Sequence, residues 1–263
     1  MTSPGLPRLE GRVAFVAGAS RGIGRSIATA LGDAGAAVVV AARTETAGKL
    51  SGTIHDVAAA IRQRGGEAFA AVCDVTDEAS VATAVAGAVE RFGGIDILVA
   101  NAAAMWLGPT LKTPLRRWEL VMRVNITGTF LVTRAVLPHV IARRQGSLIA
   151  LTTKGVRMVD AGANAYWVSK AAVERYYAGL AAELREHNVA VNCLAPSLLV
   201  LTEGAVALGI EAKGRPTETP EHVARAAVWL AAQDASGVTG GVHYSDDVLE
   251  RFEGRHRAAA GTA

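Results

Sequence analysis

A tyrosine and a lysine stand four residues apart in a stretch with helical character. Tyr166 and Lys170 enclose the sequence Trp-Val-Ser, and this spacing places both side chains on one face of a helix, one turn apart. A phenol has a pKa of about 10, and an adjacent ammonium favours the phenolate and lowers that pKa. The pair is therefore a candidate for acid–base chemistry. The alternative is an exposed tyrosine beside an exposed lysine, because this spacing also occurs by chance in helices.

Three glycines separate a short apolar run from a helical pattern near the amino terminus. In such a turn the backbone can approach a pyrophosphate, which the N-terminus of the following helix attracts. Tight packing between strand and helix would also explain the glycines, but the first strand–helix unit is the expected place for a dinucleotide site. The predicted cofactor-binding residues of this turn are Gly18, Ser20, Arg21, Gly22, Ile23 and Gly24.

The end of the second apolar run bears on the choice between NADP and NAD. A carboxylate there would bind the ribose hydroxyls and favour NAD, but the chain has Ala41-Ala42-Arg43. Arg43 and Arg21 can both meet a 2′-phosphate, and the sequence places no acidic residue at that point to repel it. We therefore predict that NADP(H) is preferred, with NAD(H) as the second candidate. The alternative is that both arginines are merely solvated.

Short apolar runs alternate with longer helical patterns along the chain. Continuously apolar runs are typical of strands buried on both faces, and helices between such strands require parallel crossovers. We predict a doubly wound α/β fold with about seven parallel strands and helices on both faces. The predicted strands are 12–17, 36–41, 67–72, 95–100, 147–151, 189–194 and 241–244. The predicted helices are 22–34, 53–64, 77–92, 114–143 with a break in the middle, 163–187 and 219–232.

The composition favours one folded domain. Of the 263 residues, 51% are hydrophobic and 19% are charged, against about 25% charged in an average domain, which excludes intrinsic disorder. No repeat, linker or break in composition divides the chain. We predict a single domain over residues 1–263, with flexible tails at 1–8 and 254–263.

Charge and cysteine content exclude several classes of protein. A net charge of +3 with only short basic clusters does not indicate nucleic-acid binding. No run of about 18–20 uncharged apolar residues predicts a membrane span, and residues 1–7 lack the pattern of a secretory signal, so we expect a cytoplasmic protein. Two cysteines, Cys73 and Cys193, exclude a disulfide scaffold and a multi-cysteine zinc site. We predict no metal site.

The order and spacing of further motifs resemble the short-chain dehydrogenase/reductase family over residues 9–247. This resemblance implies a Rossmann fold. The motifs that carry it, besides the glycine turn and the tyrosine–lysine pair, are Cys73-Asp74-Val75, Asn101-Ala102-Ala103, Asn125, Thr152-Thr153 and Val191-Asn192 leading to Pro196. Residues 49–54, 92–98 and 244–249 resemble a subgroup, the hydroxysteroid dehydrogenase-like reductases.

The resemblance implies a reaction and four catalytic residues. Hydride would pass between a nicotinamide cofactor and a secondary alcohol or ketone. Tyr166 would be the general acid in reduction and the general base in oxidation. Lys170 would lower the pKa of Tyr166 and bind the nicotinamide ribose. Thr153, in place of the usual serine, would donate to the substrate carbonyl. Asn125 would bend its helix and hold a water that relays protons to Lys170.

The resemblance also implies further contacts with the cofactor. Asp74 would bind the adenine amino group, with the backbone of Val75 beside it. Asn101 would line the adenine–ribose side of the cleft. The backbone of Leu199, three residues after Pro196, would hold the carboxamide.

Apolar residues by family position indicate the substrate. Residues 198–210 would form a mobile lid. Together with Trp106 and Met158, these residues, among them Leu201, would line a pocket for a hydrophobic ketone or alcohol rather than a sugar. The alternative is that they pack the core or a subunit contact. Small residues on the helices predicted at 114–143 and 163–187 favour a homo-oligomer, either a dimer or a tetramer.

Several positions depart from the family pattern and keep two other functions open. The departures are Ala17, Ala100, Ala103, Thr153, Ser197 and Thr202, which stands one residue later than the usual threonine of the family. They favour, as an alternative, a catalytically weak dinucleotide-binding or scaffold protein. A second alternative is a reductase of carrier-bound 3-oxoacyl thioesters, for which a basic docking surface would come from Arg116, Arg117, Arg143 and Arg144.

Overall fold

Seven parallel strands form the central sheet of the computed structural model, which describes the backbone of residues 5–46, 48–159 and 161–260. The strands are β1 (Val13–Ala17), β2 (Ala37–Ala42), β3 (Ala68–Val72), β4 (Ile97–Ala100), β5 (Gly146–Leu151), β6 (Val189–Ala195), β7 (Leu199–Val200), β8 (Thr217–Glu218) and β9 (Val242–Tyr244). The order in the central sheet is β3-β2-β1-β4-β5-β6-β9, and a separate pair of short parallel strands, β7 and β8, was not predicted.

Helices cover both faces of the sheet. They are α1 (Gly22–Asp33), α2 (Ile54–Gln63), α3 (Glu78–Phe92), α4 (Leu115–Met122), α5 (Gly128–Arg143), α6 (Asn164–Leu184), α7 (Glu203–Ala207), α8 (Pro220–Ala231) and α9 (Ser245–Ala260). Side chains begin several of them: Asp77 caps α3, and Thr219 caps α8 ahead of Pro220 at its first position. The sequence analysis missed α9, whose low hydrophobic content gives little periodic signal.

The apolar strands divide their side chains between two hydrophobic cores. In β2, Val38 and Val40 pack on the side of α1, α2 and α8, whereas Val39 packs on the side of α3, α5 and α6. Alternate side chains of a strand point to opposite faces, so a strand between two helix layers must be apolar at every position. The predicted doubly wound Rossmann fold is confirmed as a single domain.

The strand order reverses between β1 and β4, which are neighbours in the sheet. Ala17, the last residue of β1, pairs with Ala41 on one side and Ala100 on the other. In open α/β sheets, ligands bind outside the carboxyl ends of the strands at this reversal. The loops after β1 and β4 are therefore the ones that position a ligand.

The helical stretch over residues 115–143 is interrupted, as predicted. The interruption is a π-helical turn, Arg123–Thr127. By length and composition alone this stretch could cross a membrane, with a mean hydropathy of 1.3 over its most apolar window, but 44% of that window is buried inside the fold.

The predicted flexible tails lie partly outside the described residues. Residues 1–4 and 261–263 are not described. The backbone of 254–260 is helical, as the end of α9. The flexibility of both tails stays a prediction.

Candidate functional site

The glycine turn after β1 is built for close backbone approach. Gly18 has a φ of 77°, and a Cβ atom there would lie 2.7 Å from the Cα of Ala102. A Cβ atom on Gly24 would lie 2.2 Å from the carbonyl oxygen of Gly18. Only glycine fits at either position. The amide of Asn101 closes the turn by donating to the Gly18 carbonyl at 2.9 Å, so the structure shows Asn101 supporting the turn, and its contact with the adenine–ribose stays a prediction.

The N-terminus of α1 lies directly after this turn and has the features of an anion site. Its N-cap residue, Arg21, makes no side-chain capping bond, and the first turn contains no acidic residue. The Arg21 guanidinium instead donates to the carbonyl oxygens of Ser51 and Gly52 at 3.0 and 3.2 Å. The turn and the helix end fit a pyrophosphate. Some of the N–H groups of Arg21 already donate to the loop before α2.

An acidic residue that the sequence analysis missed contacts the same helix end. The backbone N–H of Gly22 donates to the Glu203 carboxylate at 3.1 Å. Arg25 forms an ion pair with the other oxygen of this carboxylate at 2.9 Å. Glu203 begins α7, far away in the sequence, so no local motif indicated the contact. The helix dipole and the arginine both stabilise a negative charge here.

Arg43 is exposed at the end of β2, where the sequence placed it. The sequence analysis expected no acidic residue beside Arg43, and this expectation is wrong. Asp74, at the end of the neighbouring β3, lies with one carboxylate oxygen 3.8 Å from Nη1 of Arg43. The other carboxylate oxygen accepts from the backbone N–H and the hydroxyl of Thr76. Val75 is buried beside it.

Tyr166 and Lys170 both lie in the first two turns of α6, as predicted. Lys170 is only 3% exposed; its ammonium donates to the carbonyl oxygen of Leu151 at 2.6 Å and lies 5.7 Å from the centre of the Tyr166 ring. Burial lowers the pKa of Lys170 to about 8. The alternative of two exposed side chains is therefore wrong for the lysine.

The predicted direction of the tyrosine shift is wrong in this structure. Burial raises the pKa of Tyr166 to about 12. The sequence analysis weighed only the attraction of the Lys170 ammonium for a phenolate, whereas removing the phenolate from water costs more. At neutral pH the phenol keeps its proton.

Asn125 lies in the π-helical turn and is fully buried. Its side-chain oxygen accepts from the backbone N–H of Ala104 at 2.7 Å, and its NH₂ group donates to the Ala104 carbonyl at 2.9 Å and to the hydroxyl of Ser169 at 2.8 Å. Asn125 thereby ties the loop after β4 to α6, three residues from Tyr166. The helix is π-helical at Asn125, and both the predicted bend and the water relay stay predictions.

Thr153 follows β5 and begins a short 3-10 helix, Lys154–Arg157, whose Gly155 N–H donates to its hydroxyl at 3.2 Å. Gly155 packs against Trp167 so closely that a Cβ atom would lie 2.2 Å from the indole nitrogen. This contact holds the Thr153 segment against the start of α6, beside Tyr166.

The predicted lid has its own structure. Pro196 precedes it, Leu199 belongs to β7, and residues 203–207 form α7. The departure Ser197 has a structural reason: its hydroxyl accepts from the backbone N–H of Asp246 at 2.9 Å, at the start of α9. Thr202 caps α7 through a hydrogen bond from the N–H of Ala205.

The predicted pocket residues differ in exposure. Met158 and Leu201 are exposed, at 53% and 38%, while Trp106 is partly buried under the Arg117 guanidinium, 5.1 Å from its ring centre. A cleft of about 500 Å³ lies at the amino ends of β1 and β2, between Arg12, Asp33 and neighbouring residues, and contains none of the predicted site residues. A shared pocket of Trp106, Met158 and Leu201 stays a prediction.

Three side chains that the sequence analysis did not connect meet below the lid. One carboxylate oxygen each of Glu218 and Asp246 and a ring nitrogen of His222 lie within 4.8 Å of one another. His222 Nε2 and a carboxylate oxygen of Asp246 are 2.6 Å apart, and Glu218 accepts from the backbone N–H of Leu198 at 2.6 Å. The cluster ties the lid to α8 and α9.

The two cysteines are buried, and burial raises the pKa of both thiols to about 12. They are therefore unreactive core residues at neutral pH.

A family model described as short chain dehydrogenase matches residues 12–210. The chain belongs to this family of oxidoreductases, as the order of its motifs predicted. Hydroxysteroid dehydrogenase-like protein 2 of Danio rerio is 36% identical over 247 residues, which cover 93% of this chain and 59% of the relative. The protein of the same name from Homo sapiens is 34% identical over 253 residues, covering 94% and 59%. The resemblance to this subgroup is confirmed, and the chain spans about three fifths of the length of these relatives.

Solved structures show the same fold. A putative dehydrogenase from Xanthomonas campestris has a TM-score of 0.85 and 37% identity, covering 93% of this chain and 90% of that one. A gluconate 5-dehydrogenase from Burkholderia cenocepacia, in complex with NADP and tartrate, has a TM-score of 0.79 and 31% identity, covering 90% and 94%. These neighbours support a nicotinamide cofactor.

Proposed function

We propose that this protein is an NADP(H)-preferring oxidoreductase that interconverts a hydrophobic secondary alcohol and its ketone. The observation that carries the proposal is the pair of Tyr166 and the buried Lys170 on α6, next to the segment of Thr153. A protonated phenol beside an ammonium can donate a proton to the oxygen of a carbonyl group. Thr153 donates a second hydrogen bond to that oxygen and orients it.

The glycine turn and the N-terminus of α1 would hold the cofactor's pyrophosphate, and Lys170 would hold the nicotinamide ribose. When bound, the cofactor supplies or accepts the hydride. Asp74 and Val75 would contact the adenine. Arg43 would meet a 2′-phosphate, because its exposed guanidinium stands at the end of β2. The NADP complex of the gluconate 5-dehydrogenase relative supports this choice.

The proposed substrate class rests on apolar surface around the site. The lid residues Leu198, Leu201 and Val206 and the nearby Met158 and Val159 are exposed hydrophobic side chains. Such side chains stabilise an apolar ligand better than a polar one. Trp106 would contribute the opposite wall.

The experiment is a set of reductase and dehydrogenase assays with NADPH, NADH and their oxidised forms. Hydrophobic ketones and alcohols are compared with sugars and gluconate of similar size. We expect turnover with the hydrophobic series and a lower KM for NADP(H) than for NAD(H). Turnover only with sugar acids, or a clear preference for NAD(H), would contradict the proposal.

One contact favours a second candidate, a dinucleotide-binding protein with weak catalysis. Glu203 lies at the helix end that would receive the pyrophosphate, and a carboxylate weakens the binding of another anion there. Cofactor binding without turnover across the whole panel would support this candidate. Faster turnover of a carrier-bound 3-oxoacyl thioester than of free ketones would instead support the docking role of Arg116, Arg117, Arg143 and Arg144.

Homo-oligomerisation and a cytoplasmic location belong to the same proposal. Leu115, Trp118 and Phe130 are exposed hydrophobic side chains on α4 and α5, which suits a helix–helix contact between copies. Size-exclusion chromatography with light scattering should give a dimer or a tetramer. A single 27.2 kDa species would contradict this.

A further inference from the structure

A third charged residue follows Tyr166 and Lys170 along α6. Glu174 lies four residues after Lys170, on the same side of the helix, and its side chain is only 9% exposed. A buried carboxylate is costly unless it is paired and hydrogen-bonded. The proposed proton transfer gives Glu174 no part, so its contacts need a separate explanation.

Both oxygens of the Glu174 carboxylate are used, and by residues on either side of Thr153. The hydroxyl of Thr152 donates to Oε1 at 2.7 Å. Nη1 of Arg157 donates to Oε2 at 2.6 Å and forms an ion pair with it. One side chain on a rigid helix therefore holds both ends of the segment 152–157.

The segment needs such an anchor because its own structure is small. It contains one short 3-10 helix, closed at its start by the weak 3.2 Å bond from Gly155 to the Thr153 hydroxyl. Its backbone is also tied by the N–H of Thr152, which donates to the carbonyl oxygen of Leu194 at 2.9 Å, and by the packing of Gly155 on Trp167. Hydrogen bonds to a charged acceptor are about twice as strong as neutral ones.

The Glu174 carboxylate also affects the pKa of Lys170, which lies one helical turn earlier. Burial lowers the pKa of Lys170, and the negative charge of Glu174 opposes this shift. The charges of Glu174 and Lys170 also act, in opposite directions, on the pKa of the Cys193 thiol. Glu174 therefore favours the ammonium form of Lys170 as well as holding the Thr153 segment.

We propose that Glu174 is a positioning residue: through Thr152 and Arg157 it fixes the segment 152–157, so that the Thr153 hydroxyl and Tyr166 address the same substrate oxygen. This inference rests on the proposed function for its kinetic consequence. The hydrogen bonds from Thr152 and Arg157 to Glu174, called the clamp below, do not depend on that function.

The main variant is Glu174→Gln, which keeps the size of the side chain and an acceptor for Thr152 but removes the charge. The control is Glu78→Gln, which removes one partner of the exposed ion pair between Glu78 and Arg134. Amide hydrogen exchange of the peptide 152–158 is measured first, because it needs no substrate. We expect faster exchange in Glu174→Gln and parental exchange in the control. Unchanged exchange would overturn the clamp.

Kinetics then test positioning. In Glu174→Gln we expect kcat to fall between about tenfold and a hundredfold, because small misplacements of reacting groups have effects of this size. The dissociation constant of the cofactor should stay within error. The alkaline limb of the pH profile for ketone reduction should move to lower pH, since Lys170 loses the charge that favours its ammonium form.

Each outcome has a separate meaning. Faster exchange with an unchanged kcat and pH profile would mean a purely structural ion pair and would overturn the proposal. No turnover by the parent would contradict the proposed function, while the exchange data would still decide the clamp. If Glu174→Gln does not fold, Arg157→Met and Thr152→Val release one end of the segment each; both must speed exchange and lower kcat, or the proposal fails.

Discussion

The backbone N–H of Gly22 donates to the carboxylate of Glu203 at 3.1 Å, at the helix end that follows the glycine turn. A carboxylate and a pyrophosphate cannot both take this donor without repelling each other. We expect Glu203→Gln to lower the dissociation constant of NADP(H) by about two- to fivefold, the size of a charge effect at a helix terminus. Titration of protein fluorescence measures it.

The control for this variant is Glu90→Gln, an exposed carboxylate on α3. It should leave the dissociation constant unchanged. The difference between Glu203→Gln and the parent should also shrink as salt is added. Equal or weaker cofactor binding in Glu203→Gln would contradict competition between the carboxylate and the pyrophosphate.

Arg43 tests the proposed choice of cofactor. We expect Arg43→Ala to raise KM for NADP(H) by about ten- to a hundredfold, the value of a hydrogen bond between two charged groups. KM for NAD(H) should change little, because the freed Asp74 carboxylate does not face a 2′-phosphate there. The control is Arg91→Ala, an exposed arginine on α3. A parallel rise for both cofactors would contradict a contact with the 2′-phosphate.

The depressed pKa of Lys170 predicts how stability depends on pH. The folded state has a pKa of about 8 for this group, against about 10.4 in an unfolded chain. Between these values the unfolded chain binds more protons, so the folded parent gains stability as pH rises. The Lys170→Met variant lacks this gain.

Urea unfolding of parent and Lys170→Met from pH 7 to pH 10 measures the effect. The free energy of unfolding of the parent should rise by about 2.5 kcal/mol relative to the variant across this range. The raised pKa of Tyr166 acts in the opposite direction above pH 10, but it is common to both proteins and cancels. A difference independent of pH would mean that Lys170 is not desolvated.

Asn125 predicts a loss of stability that is separate from catalysis. In Asn125→Ala the backbone N–H and carbonyl of Ala104 lose their partners, and unsatisfied groups of this kind cost about 1–3 kcal/mol each. We expect a clear drop in the midpoint of chemical denaturation. Asn164→Ala removes an exposed amide on α6 and should change stability by less than about 0.5 kcal/mol. Similar losses in both variants would contradict the account.

The fold could be predicted from sequence because its signals are local. The valines of β2 form an unbroken apolar run, and such runs between helical patterns leave little choice but a parallel sheet with two helix layers. The spacing of Tyr166 and Lys170 placed them on one helix turn. The glycine turn was also predicted from local spacing, and only glycine fits sterically at Gly18 and Gly24.

What the sequence did not show depends on contacts between distant residues. Glu203 reaches Gly22 across 181 residues, and Asp74 reaches Arg43 from a neighbouring strand. The pKa of Tyr166 followed burial, which spacing does not reveal. Helix α9 lacked a regular apolar stripe, and its start depends on Ser197 and Ser245 meeting in space.

The proposed role of Tyr166 is tested most directly by the rate of ketone reduction in Tyr166→Phe. This variant keeps the ring but removes the hydroxyl that would donate the proton. We predict that kcat falls by about 10²- to 10⁴-fold, the range for losing a general acid, while the dissociation constant of NADPH and the unfolding midpoint stay close to those of the parent. A variant that reduces the same ketone at the parental rate would contradict the central claim.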